Sequence, residues 1–382
     1  MPSSRVNPFQ VRHLATGAGF ANRHAELVRL TRTMLTPGDK LVLYGDRRLG
    51  KTAALAIAAD RARRRGALVA AISLAPAADL ADAVRRVLAA VHAVAGRSWH
   101  SVLADLAARL KLTLTLAPNP DGHGLPGLSL ALEPGAPGAR PTLFTDALDA
   151  INEQAGRRKL RLALVVDEFQ RLLEWGGESM EWALKDTLER HRHVAYLFSG
   201  SSRSLIEDMV VQKRRPLWKT VSLLHLGPIP ADEFAAWMVV RARATGVRFT
   251  DLTARDVLRL AGPRTRDVIV LAGATWDDAQ LRRGAGDPVR ALDAEVAALD
   301  VVHQRGWESC TDQERRLLLA LAREPMAELH AERVRRIYRL GAASSASAGL
   351  KALVTRSILA RDGKRYVFDD PFFRRWVELG TR

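Results

Sequence analysis

The first part of the chain alternates short, continuously apolar runs with longer segments in which apolar residues recur every three or four positions. Short apolar runs bounded by polar turns are typical of strands buried on both faces, whereas the longer segments are typical of helices. This alternation predicts an α/β domain built on a parallel sheet. Five strands are predicted, at residues 41–45, 67–74, 162–166, 194–198 and 220–224.

After residue 228 the pattern changes, and apolar residues keep a helical spacing with no intervening strand. Such a run of helices beside an α/β domain predicts a separate helical lid. Its helices are predicted at residues 231–245, 253–261, 264–274 and 287–300.

The last part of the chain, residues 301–382, combines helices with one predicted hairpin. Thr311 and Glu314 have the spacing of a capping box, which marks a helix start. Helices are predicted at 312–323 and 329–339, and a third from a Ser344-Ser345 cap to about Arg356. A β-hairpin around an Asp-Gly turn at Asp362 follows. Three helices and a hairpin predict a winged helix-turn-helix.

Residues 113–142 are rich in proline and glycine, which excludes a helix. They flank short apolar pieces, so this insertion is expected to carry a small hairpin or to form a flexible loop. The predicted organisation is therefore a lead-in over residues 1–30, an α/β core over 31–228, a lid over 229–300 and a winged helix over 301–382.

The composition limits the class of protein. A chain of 382 residues is too long for one ordinary hydrophobic core. It contains no long uncharged apolar run, so no membrane span is predicted. Cys310 is the single cysteine, so no intrachain disulfide can form and a cytoplasmic location is expected. The net charge of +16 is compatible with contact to nucleic acid. It is also compatible with an arginine-rich coding composition, and the charge alone leaves both explanations open.

The segment after the first predicted strand reads Gly45-Asp46-Arg47-Arg48-Leu49-Gly50-Lys51-Thr52, a match to the phosphate-loop pattern G-x-x-x-x-G-K-T. The two glycines let successive backbone N–H groups curl around phosphate oxygens. Lys51 places a positive charge on the β and γ phosphates, and the Thr52 hydroxyl is suited to ligate Mg²⁺. A helix begins there and points the positive end of its dipole at the phosphates. The segment predicts binding of a nucleoside triphosphate by these eight residues.

Two acids follow the third predicted strand, Asp167 and Glu168. They are expected at the carboxyl edge of the sheet, beside the phosphate loop. Asp167 is suited to hold hydrated Mg²⁺, which takes few protein oxygens. Glu168 is suited to act as the general base on an attacking water. The pair predicts hydrolysis as well as binding.

Other polar residues are candidates for contact with the γ-phosphate. Ser199 and Ser201 follow the fourth predicted strand, and Arg203 either shares their role or neutralises the helix after it. The basic loop 213–219 either supplies an arginine to a neighbouring subunit or forms a solvated surface. In the lid, Arg264 opens a helix and is the candidate for a phosphate contact.

Taken together, these motifs resemble the archaeal-type ATPases of the STAND group of P-loop NTPases, within the wider AAA-like class. The strings that carry the resemblance are Gly45-Asp-Arg-Arg-Leu-Gly-Lys-Thr52, Val166-Asp-Glu-Phe-Gln170, Phe198-Ser-Gly-Ser-Ser202 and Phe368-Asp-Asp-Pro-Phe-Phe-Arg-Arg-Trp376. The resemblance implies ATP with Mg²⁺, slow switch-like hydrolysis and a sheet order of 5-1-4-3-2. The segment from Phe20 to Leu27 looks like the family's lead-in box near the adenine, which implies a nucleotide-binding role for Arg23.

The sequence departs from the family pattern at two points. Gly262-Pro-Arg-Thr265 replaces the usual lid turn, and Leu217-Trp-Lys219 replaces the tripeptide common before the fifth strand. These departures affect the lid contact and any trans-acting arginine, while the core site keeps its motifs.

The leading functional hypothesis is an ATP-hydrolysing switch that couples nucleotide state to the winged helix. The alternative is a DNA-binding regulator in which nucleotide is mainly a structural ligand. The predicted recognition helix, 345–356, has few long polar side chains for reading bases, so any DNA contact is expected to tolerate sequence and to weaken with salt. The third possibility is that the winged helix packs on the lid or on a protein partner. A homo-oligomer is a further partner that the sequence leaves open.

Overall fold

The computed structural model describes residues 6–9, 21–96, 99, 142–200, 214–325, 328–363 and 365–380, and the backbone of 112–117 and 127–132. The chain divides into two compact units. The sheet unit is Arg23–Gly227, and the helical unit combines the segment up to Asn22 with the chain from Pro228 onward. No described helix has the length and apolar character needed to cross a membrane.

The sheet unit contains five parallel strands, as the apolar runs predict. A separate antiparallel hairpin lies in the proline- and glycine-rich insertion, which confirms the hairpin alternative for its described part. The strands are β1 (Lys40–Tyr44), β2 (Leu68–Ser73), the hairpin β3 (Leu112–Ala117) and β4 (Gly127–Leu132), then β5 (Leu162–Asp167), β6 (Val194–Gly200) and β7 (Ser222–His225).

The order of the parallel sheet is β2-β5-β6-β1-β7. Counted along the chain without the hairpin, this is the predicted order 5-1-4-3-2. Strand β6 is buried along its whole length, and β5 is buried up to its last residue. Because the strands are parallel, the carboxyl ends of β1, β5 and β6 meet at one edge, where the predicted site residues belong.

The described part of the sheet unit contains five helices. The third, fourth and fifth of them pack apolar side chains into the core that contains the rings of Phe144, Phe169 and Phe198. The helix after β5 is kinked at Gly177, which has φ 57° and ψ −151°. The helices are α1 (His24–Leu35), α2 (Lys51–Arg63), α3 (Leu80–Ala95), α4 (Thr142–Arg157) and α5 (Arg171–Arg190).

In the helical unit, the described lid consists of helices, as predicted. The helix predicted at 264–274 is longer, and the one predicted at 287–300 is observed at Pro288–Ala298. The lid helices are α6 (Ala231–Arg243), α7 (Asp251–Ala261), α8 (Thr265–Arg282) and α9 (Pro288–Ala298), and a further helix, α10 (Asp300–Glu308), follows after Leu299.

The winged helix has the predicted order of three helices and a hairpin, followed by one more helix. The capping box is confirmed, since Thr311 and Glu314 satisfy each other's backbone N–H groups. The expected Ser344-Ser345 cap is wrong, because the helix begins after Ala342 without a side-chain cap. The elements are α11 (Asp312–Arg323), α12 (Glu332–Ile337), α13 (Ala343–Thr355), β8 (Leu359–Asp362), β9 (Arg365–Phe368) and α14 (Pro371–Leu379).

Helix α14 joins the lid to the winged helix. Phe372 is buried in the lid core, while its neighbour Phe373 is buried in the winged-helix core. Arg375 forms a forked ion pair with Asp293 of α9, at 2.7 and 3.1 Å. Two cores that share one helix resist separation, so the lid and the winged helix form one body.

The described residues before α1 pack on the lid core. Phe9 and Ala21 are buried there, and the Phe9 ring centroid lies 5.7 Å from that of Trp237. The Asn7 amide donates to the Gly273 carbonyl at 3.0 Å. Helix α1 begins at His24, within the segment predicted as a lead-in.

Candidate active site

The loop between β1 and α2 contains the predicted phosphate-binding segment. A β-carbon on Gly45 would lie 2.3 Å from the Leu226 carbonyl oxygen after β7, so only glycine fits there. Gly50 adopts φ 92° as the residue that precedes α2, and Arg48 also has a left-handed conformation, φ 66°. These conformations curl the backbone into a loop at the N-terminus of α2. The geometry matches that of an anion-binding loop.

Lys51 is held inside this loop. Its ammonium donates to the carbonyl oxygens of Gly45 and Asp46, each at 2.8 Å, and the side chain is buried. Burial lowers the pKa of the Lys51 ammonium, while the carboxylates of Glu168 and Asp167 oppose that shift. A desolvated ammonium attracts phosphate oxygens more strongly than one in bulk water.

Asp167 connects three elements at the carboxyl edge. The Thr52 hydroxyl, at the start of α2, donates to Asp167 Oδ2 at 3.0 Å. The Ser199 hydroxyl, on β6, donates to Asp167 Oδ1, which also accepts from the Glu168 backbone N–H at 3.0 Å. Ser199 therefore orients the carboxylate in the structure.

These oxygens fit a magnesium ion. Mg²⁺ prefers hard oxygen ligands, retains several waters and takes one or two carboxylates together with substrate phosphates. Thr52 and Asp167 offer a hydroxyl and a carboxylate in contact with each other. Within the described ranges no group of three or more His, Cys, Asp or Glu side chains forms a closed metal cage. This is the donor set expected where a triphosphate supplies the remaining ligands.

Glu168 directly follows β5 and has φ 56°, a left-handed conformation that is unfavourable for glutamate. The Phe169 backbone N–H donates to the Ser199 carbonyl at 3.0 Å, which fixes the turn. The side-chain amide of Gln170 donates to the Glu168 carboxylate. Strained residues held by their surroundings are frequent at functional sites.

Gln170 is a site residue that the motif analysis missed. Its side chain is buried, and it contacts the predicted general base directly. The sequence offers one signal for it, an amide side chain two residues after the acid Glu168 at a strand end.

Several predicted residues have other positions. The Asp46 and Arg47 side chains are exposed, and Leu49 is buried under the loop. Arg203, like Ser201, lies outside the described residues, so its role stays a prediction. Arg264 belongs to the helical unit, where it forms an ion pair with Asp369 and precedes α8. Its predicted phosphate contact also stays a prediction.

Arg23 lies close to the phosphate loop. Its Nη2 donates to the Leu49 carbonyl at 3.4 Å and to the Gly227 carbonyl at 2.6 Å. Its Nη1 donates to Glu26 at 3.3 Å. Burial lowers the pKa of the Arg23 guanidinium, and Glu26 opposes that shift. The predicted contact with the adenine stays a prediction.

The basic loop before β7 is partly engaged within the chain. Arg215 forms an ion pair with Glu181 of α5, whose side chain is completely buried. Burial raises the pKa of Glu181, and the guanidinium opposes this. The Lys219 ammonium lies 4.3 Å from the centre of the Trp218 ring, while Arg214 is exposed. Arg214 and Lys219 are both exposed in the described part of this loop, and a trans-acting role for either stays a prediction.

Replacing Arg215 with Ala is expected to lower the free energy of unfolding by about 1–3 kcal/mol, because the buried Glu181 carboxylate would lose its partner. Denaturant titration measures the change. Arg214→Ala is the matched control and is expected to stay within about 0.5 kcal/mol of the unchanged chain. Equal stability of the two variants would contradict the structural role, and lost ATP turnover at unchanged stability would favour a trans-acting arginine.

Comparisons with known proteins agree with this architecture. A sequence family described as "Probable winged helix domain" matches residues 301–379. No curated protein sequence matches the chain.

Two solved structures are similar over nearly the whole chain. A Walker-type ATPase of Pyrococcus abyssi has a TM-score of 0.59 and 14% identity, covering 97% of this chain and 99% of its own. The ORC2 protein of Aeropyrum pernix, with ADPNP and ADP, has a TM-score of 0.55 and 14% identity, covering 99% of each chain.

At this identity the likeness shows the fold. The chain has the fold of archaeal-type P-loop ATPases that end in a winged helix. The resemblance inferred from the motifs is confirmed at that level.

Proposed function

We propose that the chain binds ATP with Mg²⁺ and hydrolyses it slowly, as a switch that couples nucleotide state to its winged helix. One observation carries the proposal. Lys51, Thr52, Asp167 and Glu168 lie together at the carboxyl edge of the sheet, although 115 residues separate Thr52 from Asp167. The structural neighbours are described as a Walker-type ATPase and as a protein with bound ADPNP and ADP, which supports the choice of nucleotide.

Each residue has a distinct task in this proposal. The backbone N–H groups of the loop bind the β and γ phosphates at the N-terminus of α2. Lys51 exchanges its loop carbonyls for phosphate oxygens and neutralises their charge. Thr52 and Asp167 would hold Mg²⁺, which supplies charge stabilisation at the β and γ oxygens when bound.

Glu168 orients a water and accepts its proton as the water attacks the γ-phosphorus. The γ-phosphoryl group is transferred to that water, and ADP leaves with the bridging oxygen. The carboxylate stands beside the Mg²⁺ ligand Asp167, and Gln170 fixes its direction by an amide hydrogen bond.

The output of the switch is the helical unit. Because α14 contributes to both the lid core and the winged-helix core, a change in the lid is carried to the winged helix. Loss of the γ-phosphate removes contacts that favour one conformation of the chain, so the populations of its two conformations shift. ATP turnover and light scattering, measured with and without DNA, test the proposal as a whole. Turnover at background level in both conditions would contradict it.

A second candidate function is contact of the winged helix with DNA. Its support is a set of exposed cations. The face of α13 offers mainly short side chains, Ser344, Ser345 and Ser347, which suit phosphate approach better than base reading. The exposed cations of the described winged helix include Arg316, Arg323, Arg333, Arg336, Arg339, Lys351, Arg356, Arg361 and Arg365.

DNA affinity is expected to be sequence-tolerant and strongly dependent on salt. With three or four phosphate contacts, the slope for duplex DNA gives a loss of about 40–150-fold in affinity between 50 and 200 mM salt. Fluorescence anisotropy with two unrelated duplexes measures it. The double variant Lys351→Ala and Arg361→Ala should make the slope of log affinity against log salt shallower, by the amount expected for the loss of about two phosphate contacts. An affinity insensitive to salt would contradict phosphate binding.

A further inference from the structure

The chain crosses between the two units at two points, Asn22–Arg23 and Gly227–Pro228. Arg23 is the first residue after one crossing, and Gly227 is the last residue before the other. The Arg23 guanidinium donates to the Gly227 carbonyl at 2.6 Å, so one hydrogen bond joins the two crossings. The same nitrogen donates to the Leu49 carbonyl of the phosphate loop at 3.4 Å. The side chain is only 5% exposed.

The phosphate loop contacts the second crossing at its other end as well. The Leu226 backbone N–H donates to the Tyr44 carbonyl at 2.8 Å, and the Leu226 carbonyl oxygen leaves no room for a β-carbon on Gly45. The segment that ends at Gly227 therefore contacts the beginning of the phosphate loop directly. Through the Arg23 side chain it is also connected to Leu49, near the end of that loop. A rearrangement of the loop must displace this segment or break these contacts.

Neither crossing is a slack linker. Asn22 and Arg23 have consecutive left-handed conformations, φ 48° and 70°, which persist only where the surroundings fix them. Pro228 and Pro230 restrict the backbone of the second crossing. Stiff connections transmit a displacement that a flexible linker would absorb.

Both crossings are also anchored immediately in the lid core. Ala21, two residues before Arg23, is buried there together with Phe9. Ile229, two residues after Gly227, is buried in the same core beside Phe234. A shift of either crossing is therefore applied to packed residues of the lid and not to its surface.

We propose that Arg23 is a positioning residue that transmits the state of the phosphate loop, nucleoside triphosphate or diphosphate, to the lid and winged helix through both crossings. The proposal rests on the proposed function, because it assigns the route by which that switch acts. A guanidinium suits the task, since its rigid fork of donors serves several acceptors at once, whereas a lysine ammonium is a point charge. A buried guanidinium that loses its acceptors is costly, so Arg23 keeps its hydrogen bonds to the Leu49 and Gly227 carbonyls. These two residues therefore move together.

The test uses the full chain with Cys310→Ser and spin labels at Ser179→Cys of α5 and Ser345→Cys of α13, both of them exposed serines. Electron resonance measures the distance distribution with saturating Mg-ADP and with the Mg complex of a non-hydrolysable ATP analogue. We expect the two distributions to differ in the otherwise unchanged chain and to coincide in Arg23→Met. Arg64→Met, which removes an exposed arginine at the end of α2, is the matched control and should keep the difference.

Nucleotide affinity gives a second readout. If Arg23 couples the nucleotide to the lid, its loss must also weaken the preference of the chain for one nucleotide over the other. The ratio of the affinity for the ATP analogue to that for ADP should therefore fall toward one in Arg23→Met. The expected change lies within the usual range of about 5–150-fold. Arg23→Lys keeps the positive charge but lacks the planar fork of guanidinium donors. It should lose only part of the nucleotide preference. If Arg23→Met does not fold, Arg23→Lys and Glu26→Gln, which removes the charge facing Nη1, decide the question.

The outcomes separate two kinds of failure. A persisting distance difference in Arg23→Met overturns the role of Arg23 and leaves the switch intact. Equal weakening of both nucleotides by about 100-fold or more, with the distance difference retained at saturation, makes Arg23 a nucleotide contact instead. If the otherwise unchanged chain binds both nucleotides but shows the same distance distribution with each, the proposed switch is overturned, and this route with it.

Discussion

ATP turnover is expected to fall by about 10²–10⁴-fold when Glu168 is replaced with Gln, the range that a positioned general base contributes. The substitution keeps the size of the side chain and removes its ability to accept a proton. Affinity for ATP should stay within about threefold, because the loss falls on the transition state and not on ground-state binding. Single-turnover assays together with equilibrium binding separate these two quantities.

The matched control for this prediction is Glu174→Gln. Glu174 lies in the first turn of α5 and is exposed, in an ion pair with Arg171. Its replacement should leave turnover unchanged, since it lies on the helix surface after the site. Equal turnover in Glu168→Gln and in the unchanged chain would show that another group activates the water.

The second large effect is expected at Lys51. Its ammonium is buried in the loop and contacts the Gly45 and Asp46 carbonyls. Removing a charged donor that serves two phosphate oxygens costs about 3 kcal/mol or more, or about 100-fold in affinity. Titration of Lys51→Ala with a fluorescent ATP analogue measures the loss.

Lys185→Ala serves as the control, because Lys185 lies on α5, where it pairs with Glu189. Thermal unfolding of Lys51→Ala should match that of the unchanged chain within a few degrees. This separates a loss of binding from a loss of fold. Unaltered nucleotide affinity in a folded Lys51→Ala protein would contradict the phosphate-binding role of the loop.

The parts of the fold that could be predicted depend on local patterns and one geometric rule. Continuous apolar runs mark β1, β5 and β6, because strands buried on both faces have no polar side. The outer strands β2 and β7 are less buried, and their runs are correspondingly more mixed. The rule that parallel strands end at one edge predicts that Thr52, Asp167 and Ser199 lie together. Their contacts confirm that adjacency.

Distant contacts that do not lie at the strand ends have no local pattern that predicts them. Glu181 has the appearance of an ordinary helix residue, and only the packing of α5 buries it against Arg215. The contact of Arg23 with Gly227 spans 204 residues and uses a backbone carbonyl, which no side-chain pattern marks. The nucleotide contact that the resemblance implies for Arg23 stays a prediction, and its described partners are the carbonyls of Leu49 and Gly227 and the Glu26 carboxylate.

Side-chain capping predicted one helix start and not another. The capping box of Thr311 and Glu314 marks the start of α11. The pair Ser344-Ser345 also matches a capping preference, yet α13 begins after Ala342, two residues before Ser344, without a side-chain cap. The preference of serine for the capping position is a local tendency and did not fix this start.

The central claim is that these residues hydrolyse ATP, and a single-turnover experiment tests it directly. Purified protein in excess is mixed with labelled ATP and Mg²⁺, and the bound nucleotide is recovered over time. The account predicts that label passes from ATP to ADP in the unchanged chain, while ATP stays bound and intact in Glu168→Gln and after chelation of Mg²⁺. Recovery of intact, bound ATP from the unchanged chain throughout would contradict it.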